Sequence, residues 1–437
     1  MKRDIYKHLE EWKLSPRRKP LILNGARQVG KTHALKYFGK AFYENVAYLN
    51  FEKDEKLAQY FEGTLDPKQL IQILSIHIEV EIKPLQTLLV LDEIQECPKA
   101  LNSLKYFCEE ANEFHIAAAG SLLGVKTARS EGFPVGKVNF LHMHPLTFFE
   151  FLNAVGHEKT RAFLEEYSTM DPFQNPLHEK LIQLLKVYFF VGGMPEAVAE
   201  YGKTGNLNIV REIQLEILSA YEKDFAKHAP PQELMKITTV WKQVHRQLAK
   251  ENKKFIFSAI RKSARGRDYE DAIQWLADAG LIHKSHLVES PKFPLSAYAD
   301  HHIFKIFLMD VGLLGAQSNL SARTVIDGNE LFVEFKGSLT ENYIAQELVA
   351  TKNQVPYYWT SEGIAEVDFL IEEDHEICPL EIKAGSSQKK KSLLVYQQKY
   401  APKKLVGAST LNLKLDGAIA NYPLYFICRF FSKARSF

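Results

Sequence analysis

"PLILNGARQVGKT", residues 20–32, decides how this chain is read. Its first five residues form an aliphatic run suited to a buried strand. From Gly25 to Thr32 it matches G-x-x-x-x-G-K-[ST], and "KTHALKYF" continues it as a helix. Strand, glycine-containing turn and helix in this order make a cradle for phosphate. Gly25 and Gly30 let the backbone curl so that N–H groups along Ala26, Arg27, Gln28 and Val29 point inward, and the helix N-terminus adds partial positive charge. Lys31 is expected to reach the β- and γ-phosphates and Thr32 to offer a hydroxyl to Mg²⁺, with His33 closing the nucleotide-binding run.

Outward from this stretch, between about residues 20 and 150, apolar runs alternate with helical patterns: "PLILN" (20–24), "VAYLNFE" (46–52), "TLLVLDE" (87–93), "HIAAAGS" (115–121) and "VNFLHM" (138–143). Nearly continuous apolar strands separated by helices indicate a parallel sheet covered on both faces. The sheet should also supply the acidic half of a nucleotide site, and "LLVLDEIQ" (88–95) does so. Asp92 is expected to hold Mg²⁺ through water, and Glu93 to orient and polarise the attacking water. Ser121 would sit beside the γ-phosphate if its strand lies between the other two.

The composition suits an ordinary globular chain: 437 residues, 46% hydrophobic, 25% charged, formal net charge +2. This length predicts more than one domain. Four scattered cysteines without a CxxC pair argue against a disulfide framework or zinc site. "MKRDIYKHLEEWK" reads as an amphipathic helix and not a signal peptide, and no apolar run approaches a membrane span. A cytoplasmic location is the expectation.

Residues 1 to about 230 resemble the AAA-like branch of P-loop ATPases found in bacteria and archaea. The resemblance makes Ser121 a sensor of the γ-phosphate. It also notes Lys137, in "VGKVNFLHMHPLTFFEFL", where the family usually has an arginine; a lysine is a point charge without the planar fork of a finger residue. "GGMPEAV" (192–198) is either a turn packing near the adenine, as in related switch ATPases, or a plain helix-breaking turn.

From Trp241 to Glu270 nine Lys/Arg face three acids. Helix, "ENKKF" turn, helix, and then "LIHKSHLVES" as a hairpin follow the order of a winged helix, with Arg261, Lys262 and Arg265 as the DNA-contact candidates. Such an excess gives salt-sensitive affinity without sequence preference.

Near the C-terminus, "VDFLIEEDHEICPLEIKAG" (367–385) reads as two strands joined by an acidic turn. A turn centred between Asp374 and His375 places Asp368 opposite Glu381, and like charges so opposed need a compensating cation. Lys383, two residues on, shares their face. Between Ile382 and Leu415 there are eight lysines and no acid. The D-(x)n-E-x-K pattern resembles the PD-(D/E)xK nuclease superfamily over roughly residues 330–400. That resemblance makes Asp368 and Glu381 metal ligands for a second Mg²⁺ or Mn²⁺, and Lys383 the residue that orients or deprotonates water. Glu341 matches an upstream helical acid and Gln397 a polar helper.

The expected fold class is α/β: a P-loop NTPase parallel sheet (1–150), a helical lid (151–232), a winged-helix middle (233–295) and a mixed α/β nuclease-like domain (296–437). The expected function is a Mg²⁺-dependent ATPase acting on or with DNA, with a metal-dependent nuclease domain. The rival is a nucleotide-dependent switch or scaffold whose C-terminal domain binds a partner without cutting. A homo-oligomer or a protein partner fits either.

Overall fold

The structure is a computed structural model that describes residues 1–54, 56–121, 133–248, 255, 266–327, 333–361, 364–373, 375–384 and 391–432. It divides into two units, Met1–His144 with Asp278–Gly280, and Pro145–Ala277 with Leu281–Phe437.

In the first unit, strands β1 (Leu21–Gly25), β2 (Asn45–Asn50), β3 (Thr87–Asp92), β4 (His115–Ser121) and β5 (Asn139–His142) form one sheet in the order β2-β3-β4-β1-β5. Every neighbouring pair runs parallel. All of β1 and β3 is buried, and all of β4 except Ser121, which is why their sequences are unbroken aliphatic runs with no alternation. Ile22, Leu49, Leu91 and Ile116 pack with Phe61, Leu74, Leu104 and Phe107 from helices Leu57–Gly63, Pro67–Ile78 and Pro98–Glu110. Each such burial contributes about 2 kcal/mol. The first helix, Ile5–Leu14, buries Ile5, Tyr6, Leu9 and Trp12, the three-and-four spacing of one face.

The second unit opens with helices Phe148–Ala154, Glu158–Glu166, Asn175–Val191, Pro195–Thr204 and Leu207–His228. A capping box starts the first of these: the Thr147 hydroxyl accepts the Glu150 N–H (3.2 Å) and the Glu150 carboxylate accepts the Thr147 N–H (3.0 Å). The "GGMP" turn between the third and fourth is built for close approach. A Cβ on Gly193 would lie 2.1 Å from the Leu146 carbonyl oxygen, and one on Gly192, at φ 72°, would lie 2.3 Å from Asp310 Oδ1.

Strands β6 (Ile282–Val288), β7 (Ala299–Leu308), β8 (Tyr357–Ser361), β9 (Ala365–Glu373), β10 (Glu376–Lys383), β11 (Leu405–Ser409), β12 (Lys414–Asp416) and β13 (Ile419–Pro423) form a mixed eight-stranded sheet, order β12-β13-β11-β10-β9-β8-β6-β7. "LIHKSHLVES", expected as a hairpin, is instead the single strand β6, paired antiparallel with β7. Its interior holds no Gly, Pro, Asn or Asp; Ser290, Pro291 and Pro294 come after it and make the connection. β6 also touches β8 through Leu287 and Tyr358, so the expected wing is part of the C-terminal sheet.

Candidate functional site

The phosphate loop closes on three backbone features. Gln28 (φ 64°) and Gly30 (φ 96°) take left-handed conformations that turn the chain into the helix Lys31–Phe42. Gly25 leaves room for the Met143 carbonyl oxygen, which would lie 2.3 Å from any Cβ there. Arg3, buried on the approach to the first helix, donates to the Val29 carbonyl (3.2 Å) and to the His144 carbonyl (2.7 Å), and so braces the loop from behind. Nothing in the sequence spacing flagged Arg3. Ala26 and Val29 are buried, Arg27 is half-buried, and Gln28 and His33 are exposed.

Lys31 lies over the loop, its Nζ donating to the carbonyls of Gly25 (2.9 Å) and Ala26 (2.8 Å). The Thr32 hydroxyl donates to Asp92 Oδ2 at 2.9 Å. The same oxygen accepts from Tyr48 Oη (2.7 Å) and Asn50 Nδ2 (3.3 Å), and Asp92 Oδ1 accepts the Glu93 N–H (3.2 Å). Burial first, then the bond to Asp92, pushes the Tyr48 phenol up to about 12, so it stays a neutral donor near pH 7. Tyr48 and Asn50 lie on β2, where Asn50 pairs in register with Asp92. The only sequence signal for them was two polar residues two apart at the end of the strand, hence on one face.

Glu93 adopts a left-handed backbone (φ 52°, ψ 44°) immediately past β3. Gln95 Nε2 donates to its carboxylate at 2.6 Å. Strained non-glycine backbone at a strand end accompanies sites where a side chain is aimed rather than merely accommodated. Ser121 is half-buried at the end of β4, which does lie between β3 and β1, and it pairs in register with Gly25. Lys137 is on the surface, 2.8 Å from Glu109. The hydroxyl and carboxylate of Thr32 and Asp92 are hard oxygen donors and fit Mg²⁺.

In the second unit the hairpin register, Glu376 opposite Glu373 through Leu380 opposite Phe369, continues in the sense that sets Glu381 beside Asp368. The Asp368 carboxylate accepts the Ile382 N–H at 2.7 Å. Buried Glu381 pairs with Lys383 Nζ (2.7 Å) through one oxygen and accepts the Leu393 N–H (3.4 Å) through the other. Glu341 is buried on the helix Val333–Lys352. Burial opposes the charge of Lys383, but Glu381, then Asp368 and Glu341, outweigh it and raise its pKa. A further lysine missed in the sequence, Lys305 on β7, is completely buried; it is ion-paired with Glu366 and faces the Tyr358 ring at 4.7 Å.

A divalent cation does not fit this cluster as it stands. Glu381 and Asp368, expected as its ligands, are engaged by an ammonium and main-chain N–H groups, and among the described residues no three His, Cys, Asp or Glu side chains are arranged to hold a metal ion. Arg261, Lys262 and Arg265 lie outside the described residues. Of the C-terminal lysines, Lys403 pairs with Glu376, and Lys404 lies 3.6 Å from Glu373. Among the described residues no helix is long and apolar enough to cross a membrane.

A lysine-bearing loop after β1, a threonine hydroxyl beside it and an acidic pair ending β3, all in a parallel α/β sheet, define a P-loop nucleoside triphosphatase domain. Residues 17–152 match the family model described as "AAA domain", and this part of the chain is an AAA-type ATPase domain. Residues 182–324 and 336–426 match two further models, each described as a domain of unknown function (DUF8612 and DUF4143). No curated protein sequence matches the chain. Among solved structures, it is similar to the Walker-type ATPase PABY2304 of Pyrococcus abyssi, at 13% identity and TM-score 0.45, covering 72% of this chain and 95% of that one. It is also similar to the Aeropyrum pernix ORC1 protein in complex with DNA, at 14% identity and TM-score 0.28, covering 72% and 90%. A third is AMPPCP-bound DnaA from Aquifex aeolicus, at 15% identity and TM-score 0.27, covering 63% and 86%.

Proposed function

We propose that the chain is a Mg²⁺-dependent ATPase that works with DNA as a nucleotide-driven switch, and that its C-terminal half binds without cutting. The observation that carries the ATPase reading is the 2.9 Å contact between the Thr32 hydroxyl and Asp92, beside a lysine already over the loop. Lys31 would exchange its two carbonyl acceptors for the β- and γ-phosphate oxygens. Glu93, held by Gln95, would orient the attacking water and take its proton, and Ser121 would report on the γ-phosphate. Bound Mg²⁺ would neutralise phosphate charge, with Thr32 and Asp92 as the residues that hold it.

The DNA reading rests on charge: nine Lys/Arg against three acids from Trp241 to Glu270, and the acid-free run of eight lysines near the C-terminus. The non-cutting reading is favoured over the nuclease because, among the described residues, no three His, Cys, Asp or Glu side chains come together to hold a metal ion there. ATP hydrolysis is to be measured in the wild type and in Lys31→Ala and Glu93→Gln. A loss of about a hundredfold or more is expected for each, with Glu93→Gln still binding ATP; unchanged turnover in both removes the ATPase reading. Incubation with linear, circular and single-stranded DNA under Mg²⁺ or Mn²⁺ is expected to yield no cleavage. Cleavage abolished by Asp368→Ala overturns the non-cutting reading.

A further inference from the structure

Lys305 is the least expected charge in the molecule. It comes from the middle of β7, opposite Ser285 of β6, and has no exposed surface. A lysine stem is long enough to carry its ammonium to water, so one held wholly inside a domain implies a fixed counter-charge. That charge is supplied by Glu366 of β9, its direct ion-pair partner, which stands two residues from Asp368 on the same face of the strand. Burial alone would push the ammonium toward neutrality; Glu341, then Glu366 and Asp368, outweigh it and hold its pKa above the ordinary lysine value. Glu341 and Asp368 are also partners of Lys383. With Lys305 paired to Glu366 on the strand face of Asp368, and Lys383 paired to Glu381 opposite Asp368, two ammonium groups stand at one carboxylate cluster, and the main-chain N–H groups of Ile382 and Leu393 supply further donors to it.

We infer that Lys305 is a built-in cation occupying the role that a divalent metal plays in an acid cluster of this kind, so that the C-terminal centre is a metal-free structural and binding core. This rests on reading the C-terminal half as a nuclease-like domain that does not cut. A covalently attached cation cannot carry an exchangeable water to a phosphodiester, whereas it can hold three carboxylates, Glu341, Glu366 and Asp368, together in one fold without any dependence on metal supply.

The test is Mn²⁺ binding by the full chain without nucleotide, followed by the electron paramagnetic resonance signal of free Mn²⁺. The wild type is expected to leave millimolar Mn²⁺ free at this centre, giving the same signal as Asp368→Asn. Lys305→Met keeps the apolar stem and removes the charge. It is expected to take up one Mn²⁺ per chain, to melt several degrees higher when Mn²⁺ is added, and to lose both properties when Asp368→Asn is added. A wild type that binds one Mn²⁺ through Asp368 overturns the inference, as does a folded Lys305→Met that binds none. The wild-type comparison stands even if Lys305→Met fails to fold. A chain that binds no Mn²⁺ yet cuts DNA sinks the non-cutting reading and leaves Lys305 as the cation; one that binds Mn²⁺ and cuts nothing does the reverse.

Discussion

Asp92 Oδ2 gathers three donors, Thr32, Tyr48 and Asn50, and only the first was legible in the sequence. Thr32 is tied to Lys31 and Gly25 by a spacing that the loop geometry demands, so a linear reading finds it. Tyr48 and Asn50 reach Asp92 through the register of two parallel strands, and register between strands some forty residues apart is not written locally. Tyr48 nevertheless has a testable role: it fixes the carboxylate that would face Mg²⁺. Tyr48→Phe keeps the ring and removes a charge-assisted bond worth roughly 1.5–3 kcal/mol at most. It is expected to slow ATP hydrolysis by about tenfold and to raise the Mg²⁺ concentration needed for half-maximal rate. An unchanged Mg²⁺ titration would show that Asp92 needs no such support.

Among elements, the helix Val333–Lys352 departs furthest from what its sequence suggests. "TENYIAQEL" reads as amphipathic, yet Thr340, Glu341, Asn342, Gln346 and Glu347 are all buried. Their partners explain this: Asn342 bonds both the N–H and the carbonyl of Leu308, Gln346 accepts the Val311 N–H, and Glu347 accepts the N–H of Phe148, 199 residues away. Such pairings close only in three dimensions, so periodicity alone assigns these residues to solvent. Burial pushes Glu347 up to about 7 and Asp310, at the "GGMP" turn, up to about 6. Both lie above the ordinary unfolded carboxylate values near 4. The native state therefore holds more protons than the unfolded chain between about pH 4 and 7, and stability falls as pH rises through that window. Glu347→Gln keeps an acceptor for Phe148 and removes the titration. Its melting temperature is expected to fall less steeply between pH 5 and 8 than that of the wild type; parallel curves would exclude Glu347 as a cause.

For the whole molecule, β1, β3 and β4 were legible because two-sided burial writes itself as uninterrupted aliphatic runs, and the flanking strands β2 and β5, only partly buried, followed from the strand–helix alternation around them. The eight-stranded sheet was not, because β6 joins β8 through a single bridge between Leu287 and Tyr358, far apart in sequence. The proposed DNA contact is tested by salt dependence. Neutralising Arg261, Lys262 and Arg265 together is expected to reduce the slope of log affinity against log salt by roughly 2–3, since each phosphate contact contributes about 0.9. A slope that does not change assigns the contact elsewhere. Among the described residues the larger sheet has two borders, β12 and β7. β12 is only three residues long, and on β7 the Phe304 carbonyl already accepts the Phe255 N–H (2.9 Å) while the inward side carries the ammonium of Lys305. A stray extended peptide that tried to lengthen the ladder would find one border too short to template it and the other already occupied at Phe304. An eight-stranded sheet that would otherwise invite fibre growth is thereby kept finite.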